Sequence, residues 1–587
     1  LKILSSFFAR FLRRKGQLVG GFLAVPLTRL ADIAVTLTIG SALNNLEQGG
    51  SIAAVDSALG WIALYAICHA CSSFAQRWFI VSNSRHVERE LKQDVFDKLT
   101  SLSFEFHNKS RSGDIVSRLT SDIENVRMFL GPGLMFAVGS LVMVPVTLVL
   151  LIRLDATLAL TMALPLAILG GGFRWLTPRL HAASKDVQEG LADISHRAQE
   201  NFAGIRVVKG FAREEHQGRR FAEASATNCD RQVRLARERG LTHAFATSSS
   251  QITFVVILLL GGRAMIDGRL GYGDMLVFVD LTLKLFWPLV ALGWLAGMVP
   301  RAIASAQRVQ EILSQDPEIA DPSGEDGTTP LELSSVRGEY DLREVSFTYP
   351  GAESPALSGL NLHIPAGSRF GVVGPTGCGK TTLLNLLGRI YDCQGEISLD
   401  GIPLRQLRIA ELRAPLGYVP QDSFLFSDTW ADNVAFGCEG ELGDERLVEL
   451  AELVCMTEEL GEFHGGLQQL IGERGVTLSG GQRQRTAIAR ALARDPRVLI
   501  LDDALSAVDT ETERHLIDHL RRAGQARTVL IAAHRLSSVR EAEQILVLDS
   551  SGSPTEKGTH EELLASGGWY ARTWAQQQTR HELEEMP

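Results

Sequence analysis

Before about residue 305 the chain carries apolar runs long enough to cross a lipid bilayer, and no other feature limits its possible folds so strongly. Inside hydrocarbon every backbone N–H and C=O must be satisfied within the segment, so a run of ~20 apolar residues has to be a helix. Six such segments are expected, near 18–44, 54–80, 129–152, 156–176, 245–266 and 274–299. After about residue 335 the pattern changes to short apolar blocks separated by Gly, Pro and charged turns, which suits a soluble α/β domain. Between the two lies DPSGEDGTTP, rich in turn formers and without apolar periodicity. The expected organisation is an all-α transmembrane domain over 1–315, a linker over 316–340, an α/β domain over 341–575 and a C-terminal tail over 576–587.

The basic stretch FFARFLRRKG before the first span, against NNLEQGGS after it, places the N-terminus in the cytosol by the positive-inside rule. Six spans return the C-terminal domain to the same side. No cleavable signal peptide is apparent, although the chain begins at Leu1 rather than Met. Polar helical stretches of roughly fifty and seventy residues separate spans two and three, and four and five. At ~1.5 Å per residue such helices leave the bilayer by tens of ångströms, far enough to reach and push on a soluble domain. Their turns hold FEFHNKSRSGDIVSRLTSDIENV (Phe104 to Val126) and ENFAGIRVVKGFAREE (Glu200 to Glu215).

Charges inside the spans need partners or a wet cavity. Arg29 and Asp32 stand at i, i+3 and Asp280 and Lys284 at i, i+4, spacings at which helical side chains meet, so both pairs are expected to neutralise themselves. Asp280 and Lys284, with Gln251, His69 and Arg77, are also candidates to line a substrate cavity. The net charge of −10 gives no support for nucleic-acid binding, which calls for a basic face. The seven cysteines are scattered rather than spaced as a disulfide framework, and free thiols are expected. Cys68 and Cys71, flanking His69, lack a second ligand pair for a metal.

The second half carries phosphate chemistry. GVVGPTGCGKTT (Gly371 to Thr382) follows an apolar strand and precedes the helical LLNLLGRI, the setting a phosphate loop requires. Gly374, Gly377 and Gly379, with Pro375, Thr376 and Cys378, curl the backbone so that its N–H groups face phosphate oxygens at a helix N-terminus. Lys380 is expected to reach the β/γ-phosphates, Thr381 to coordinate Mg²⁺, and Thr382 completes the loop. A bulky adduct on Cys378 would block nucleotide. RVLILDD (Arg497 to Asp503) is an apolar strand ending in Asp502 and Asp503, an arrangement that holds Mg²⁺ and poises water. LSGGQRQR (Leu478 to Arg485) offers a second helix N-terminus to an anion through Ser479, Gly480, Gly481 and Gln482. One phosphate loop does not need two cradles, so the second is expected to close over nucleotide held by another subunit.

These motifs resemble the ATP-binding-cassette family, specifically its exporter-type half-transporters, over nearly the whole chain. The resemblance implies a type IV exporter fold, ATP and Mg²⁺ as ligands, ATP hydrolysis coupled to transport, and work as a dimer. It also implies that Tyr349 stacks on adenine, that Gln421 contacts Mg²⁺ and senses the membrane domain, and that His534 contacts the γ-phosphate. Glu473 and Asp509 match loops that communicate across the dimer, and the two quoted turns match coupling loops, the second reaching the partner's ATPase domain.

One position departs from the family pattern: Asp503 stands where most active members have the general-base Glu. Asp is one methylene shorter, ~1.5 Å of reach, so this site is expected to bind ATP tightly and hydrolyse it slowly. With an intact LSGGQ serving the opposite site, the wording resembles degenerate-site subunits of bacterial heterodimeric multidrug-type exporters. The implied setting is a bacterial inner membrane, a non-identical partner subunit and a drug, lipid or peptide substrate. A homodimer, a siderophore-type importer with this fold and an ATP-gated regulatory subunit stay open. A soluble nucleic-acid ATPase is excluded by the spans.

Overall fold

The computed structural model describes residues 2–49, 51–322, 330–438, 440–472, 475, 477–523 and 527–584. The chain divides into two compact units: Leu1–Thr100 with Arg111–Gln315, and Ser101–Ser110 with Asp316–Pro587. The short turn between the second and third long helices thus groups with the C-terminal unit.

The first unit is built of helices. Among the described residues five are long and apolar enough to cross a membrane: Lys15–Glu47, Ile52–Ser101, Ser112–Leu154, Glu214–Ile266 and Tyr272–Leu313. The expected fourth span, 156–176, lies in the helix Ala156–Ala203, which is not one of these five. That helix holds 48 residues, so at ~1.5 Å each it is about 72 Å long against ~30 Å of hydrocarbon, and much of it has to stand in water. It packs along Glu214–Ile266, while Tyr272–Leu313 packs against Lys15–Glu47 and Leu134–Leu154. Met143, Leu151, Leu158, Ile257, Phe278 and Leu281 form the buried contact among these helices.

The charges in the spans are paired differently from the local expectation. Lys284 Nζ lies 3.0 Å from Asp32 Oδ1 and 3.0 Å from Asp280 Oδ2, and donates to Thr36 Oγ1 at 2.7 Å. Thr36 in turn donates to Asp280 at 2.5 Å. Asp280 and Lys284 do pair along their helix, but the direct partner of Asp32 is Lys284, 252 residues away, rather than Arg29. Arg29 stays within electrostatic reach of Asp32. Arg77 also lies within electrostatic reach of Arg29, so the cluster holds three cations against two carboxylates.

Between the helices Ala156–Ala203 and Glu214–Ile266 the chain breaks at Gly204, forms the short helix Ile205–Gly210 and breaks again where Ala212 takes φ 49°. Phe202, Val207 and Phe211 are exposed there, an apolar knob on an otherwise polar excursion.

The second unit is α/β. Its strands are β1 (Tyr340–Phe347), β2 (Leu357–Ile364), β3 (Arg369–Val373), β4 (Gln394–Leu399), β5 (Ile402–Pro403), β6 (Leu416–Val419), β7 (Val498–Asp502), β8 (Thr528–Ala532), β9 (Gln544–Leu548) and β10 (Pro554–Gly558). A small antiparallel sheet has the order β2-β1-β4-β5. The main sheet has the order β10-β9-β3-β8-β7-β6 and is parallel except at β10. Alternate residues of its strands enter two separate cores: Val373, Leu499, Leu501 and Ile531 on one face, Val372, Ile500, Leu530 and Ala532 on the other. Burial on both faces is why these strands read as unbroken apolar blocks.

The segment 576–587, expected to be a tail, continues the helix Trp569–Glu584; its last three residues lie outside those described. Tyr570 at the start of that helix is fully buried, with its hydroxyl 2.8 Å from His560 Nδ1, and Trp574 packs edge-on against the same imidazole. Aromatic residues fix a helix whose remaining composition is polar.

Candidate ATP site

The carboxyl ends of β3, β7 and β8 converge on one place, as ligand sites in parallel sheets do. From β3 the chain turns through Gly374–Gly379 into the buried helix Lys380–Leu387. Gly379 has φ 94°, and a Cβ there would lie 2.4 Å from the Ala356 carbonyl oxygen, so only glycine fits. The Lys380 ammonium is folded back over the loop, donating to the carbonyls of Gly374 (2.9 Å) and Pro375 (3.0 Å). Cys378 is buried within the loop, its sulfur 3.8 Å from that ammonium, and burial pushes its thiol pKa up. The alkylation expected to block nucleotide must therefore await an opening of the loop.

At the end of β7, Asp502 Oδ1 accepts from Thr381 Oγ1 at 3.0 Å. Its other oxygen, Oδ2, is buried without a hydrogen-bond partner. Burial holds this carboxyl above the usual range, partly opposed by the Thr381 bond and reinforced by the Asp503 charge. A hydroxyl beside a carboxylate oxygen with no partner is a donor set of the hard-oxygen kind that suits Mg²⁺. The residues present fit the ion.

Asp503 follows in the left-handed region, with φ 47°. Its N–H donates to the Ala532 carbonyl at 2.9 Å, and its carboxylate Oδ1 faces the backbone N–H of His534 at 3.4 Å. His534, just beyond β8, has an exposed side chain, as does Gln421 just beyond β6. The loop, both carboxylates and the histidine thus come together, although they are spread over more than 150 residues of sequence.

Tyr349, expected to stack on adenine, donates or accepts a hydrogen bond with Thr382 Oγ1 at 2.9 Å, and its ring meets Phe347 and Tyr391 edge-on. Tyr391 also meets Phe104 of the turn Ser101–Ser110 at 6.2 Å between centroids and accepts from Asn108 at 3.4 Å. Nothing in the sequence pointed to Tyr391.

The LSGGQ segment starts the helix Gly480–Ala493, with Ser479 as a capping box: its hydroxyl accepts from Gln482 N–H, and Gln482 Oε1 from Ser479 N–H. Gly481 passes so close to the loop before Asp509 that a Cβ would lie 2.8 Å from the Ala507 carbonyl. Buried Gln484, which sequence reasoning missed, locks that approach by accepting from Ala507 N–H at 2.9 Å and donating to Ser506 Oγ at 3.1 Å. Glu473 lies outside the described residues.

A membrane-spanning helical unit followed by a phosphate loop, paired carboxylates and a Gly-rich helix start defines a transport ATPase. Residues 18–289 match the family model of the ABC transporter transmembrane region and 357–506 that of the ABC transporter. The chain belongs to the ABC transporter family, as an exporter-type half-transporter in which ATP hydrolysis is coupled to transport. It is 34% identical to the multidrug resistance-like ATP-binding protein MdlA of Escherichia coli (strain K12), over 90% of this chain and 89% of that protein. It is also 34% identical to an ATP-dependent lipid A-core flippase of Pseudomonas fluorescens (strain Pf0-1), over 87% and 84%. Its fold is similar to a bacterial Atm1-family ABC exporter solved with ATP bound, with a TM-score of 0.76 and 27% identity over 96% of this chain and 98% of the other.

Proposed function

We propose that the chain exports a hydrophobic or amphipathic molecule across a bacterial inner membrane as one half of a heterodimer, and that its own nucleotide site binds ATP tightly and turns it over slowly. The observation that carries this reading is Asp503. A carboxylate one methylene short of Glu has ~1.5 Å less reach towards a water beside the γ-phosphate, which supports slow turnover at this site. The intact LSGGQ helix, by contrast, suits it to serve the partner's site.

In this reading Lys380 leaves the loop carbonyls for the β/γ-phosphates, Tyr349 meets adenine, and His534 and the backbone N–H groups of Gly377–Thr382 orient the γ-phosphate. Thr381 and Asp502 would hold Mg²⁺, with Gln421 the further ligand that the family resemblance implies, and the ion would supply charge neutralisation of the phosphates. Two ATPs close the paired ATPase domains, with the Gly-rich helix start of each chain completing the other's site. Closure reaches the membrane through the coupling turns. The exposed knob of Phe202, Val207 and Phe211 complements a surface of the ATPase domain where Phe424, Phe426 and Phe436 are exposed and Arg490 lies over two of the rings, a fit for the partner's knob. Substrates of the multidrug and lipid kinds named for the relatives suit an apolar cavity with few charges.

The test is ATPase activity in lipid of the chain alone and co-expressed with its genomic neighbour. Low activity alone and high activity as a pair is expected. Brisk hydrolysis by the chain alone makes a working homodimer the better reading.

A further inference from the structure

We propose that Gln577, on the C-terminal helix, is a positioning residue for His534 and thereby sets how well this site prefers ATP over ADP. The inference rests on the reading that His534 meets the γ-phosphate.

The His534 side chain is exposed, so the main chain at 534–536 decides where its imidazole points. That main chain is held mostly from outside its own sheet. The His534 N–H reaches Asp503 only at 3.4 Å, a long and weak contact. The His534 carbonyl accepts from Gln577 Nε2 at 2.9 Å, and the Leu536 N–H donates to Gln577 Oε1 at 2.9 Å. One carboxamide therefore grips two main-chain groups two residues apart, as a neighbouring strand would. A carbonyl needs a donor and an N–H an acceptor, so the orientation of the amide is fixed by its partners.

The carrier of this side chain is rigid. Tyr570, Trp574 and Gln577 follow at i, i+4 and i+7, on one face of the helix Trp569–Glu584. The first two positions fix that face, through the buried Tyr570 and the Trp574 contact with His560, and the third reaches the loop. On its other flank the loop is held by Arg535, which donates to the Val508 carbonyl at 3.1 Å and lies 3.7 Å from the buried Glu513. Without Gln577 the His534 carbonyl and the Leu536 N–H lose their shared partner, the Arg535 flank, the long Asp503 contact and the buried Leu536 are left to hold the loop, and the imidazole loses its aim while the phosphate loop is untouched.

The experiment compares the affinities of ADP and of a non-hydrolysable ATP analogue for the full-length dimer in lipid, for the native chain, Gln577→Leu, Gln577→Glu and His534→Ala. Gln577→Leu keeps the bulk and removes both hydrogen bonds; Gln577→Glu keeps the acceptor for Leu536 and sets a carboxylate against the His534 carbonyl. Both are expected to weaken the ATP analogue about tenfold, the worth of one to two hydrogen bonds, with ADP changed less than about twofold. A merely structural role would weaken both nucleotides together, and that result overturns the proposal, as does unchanged affinity for the ATP analogue. If His534→Ala collapses the preference and the Gln577 variants do not, Gln577 alone is misassigned. If His534→Ala leaves the preference intact, the γ-phosphate reading of His534 fails and the proposal falls with it.

Discussion

Replacing Lys284 by Met tests the charge balance in the membrane helices. The ammonium is shared by Asp32 and Asp280, each at 3.0 Å, so its removal leaves two carboxylates without their common partner in an apolar bundle. Breaking a buried ion pair costs ~3–5 kcal/mol, but Lys284, Asp32 and Asp280 are 20%, 33% and 41% exposed and Arg29 stays near Asp32, so a discounted cost of about 1–2 kcal/mol applies. At ~2 °C per kcal/mol for a unit of this size, the apparent Tm falls by roughly 2–4 °C. Asp280→Asn alone is expected to do much less, because Lys284 keeps Asp32 and Thr36. Combined with Lys284→Met it should recover part of the loss. The assay is thermal unfolding in detergent, followed by the monodisperse fraction surviving each temperature. Equal losses for Asp280→Asn and Lys284→Met, or no recovery in the double variant, refute the shared-ammonium arrangement.

Two more expectations concern the nucleotide site. Because burial raises the Asp502 pKa, the neutral carboxyl favours the folded state: that stability is fully present below the unfolded value of ~3.9, is lost as pH rises through the higher folded value, and leaves the charged form a cost at neutral pH. At neutral pH Asp502→Asn should therefore stabilise the ATPase domain, by about 1 kcal/mol, while abolishing Mg²⁺-dependent ATP binding; calorimetry and equilibrium binding on the same sample check both halves. Cys378, buried and with its thiol pushed up, should react with a maleimide at least about tenfold more slowly than the exposed Cys229, ATP should slow it further, and labelled chain should bind no ATP, as read by mass spectrometry of labelled peptides.

What the sequence revealed and what it hid follow from the range of the interactions. The phosphate loop, the carboxylate-ended strand and the LSGGQ helix start were legible because their chemistry is local: strand, turn and helix N-terminus sit within a dozen residues. The apolar strands before the phosphate loop and at Arg497 to Asp503 were legible for the same reason, as unbroken apolar blocks. Residues that act through tertiary contact left no such mark. Gln577 stands 43 residues from His534 in a polar run that reads as a tail, because the anchoring Tyr570 and Trp574 are only two of its side chains. Tyr391 and Gln484 are likewise ordinary until the fold brings Asn108 and Ala507 to them. Arg29 and Asp32 looked like a pair since helical spacing allowed it, but a lysine from a distant helix took the direct contact.

The most direct test of the slow-site reading is single-turnover hydrolysis of the nucleotide retained by this chain's own site in the lipid-embedded dimer, with Asp503 and with Asp503→Glu. A restored general base should raise the rate at least tenfold, within the ~10²–10⁴ such groups contribute. Rapid hydrolysis with Asp503 in place, or no gain from Asp503→Glu, would contradict the idea that the short carboxylate limits this site.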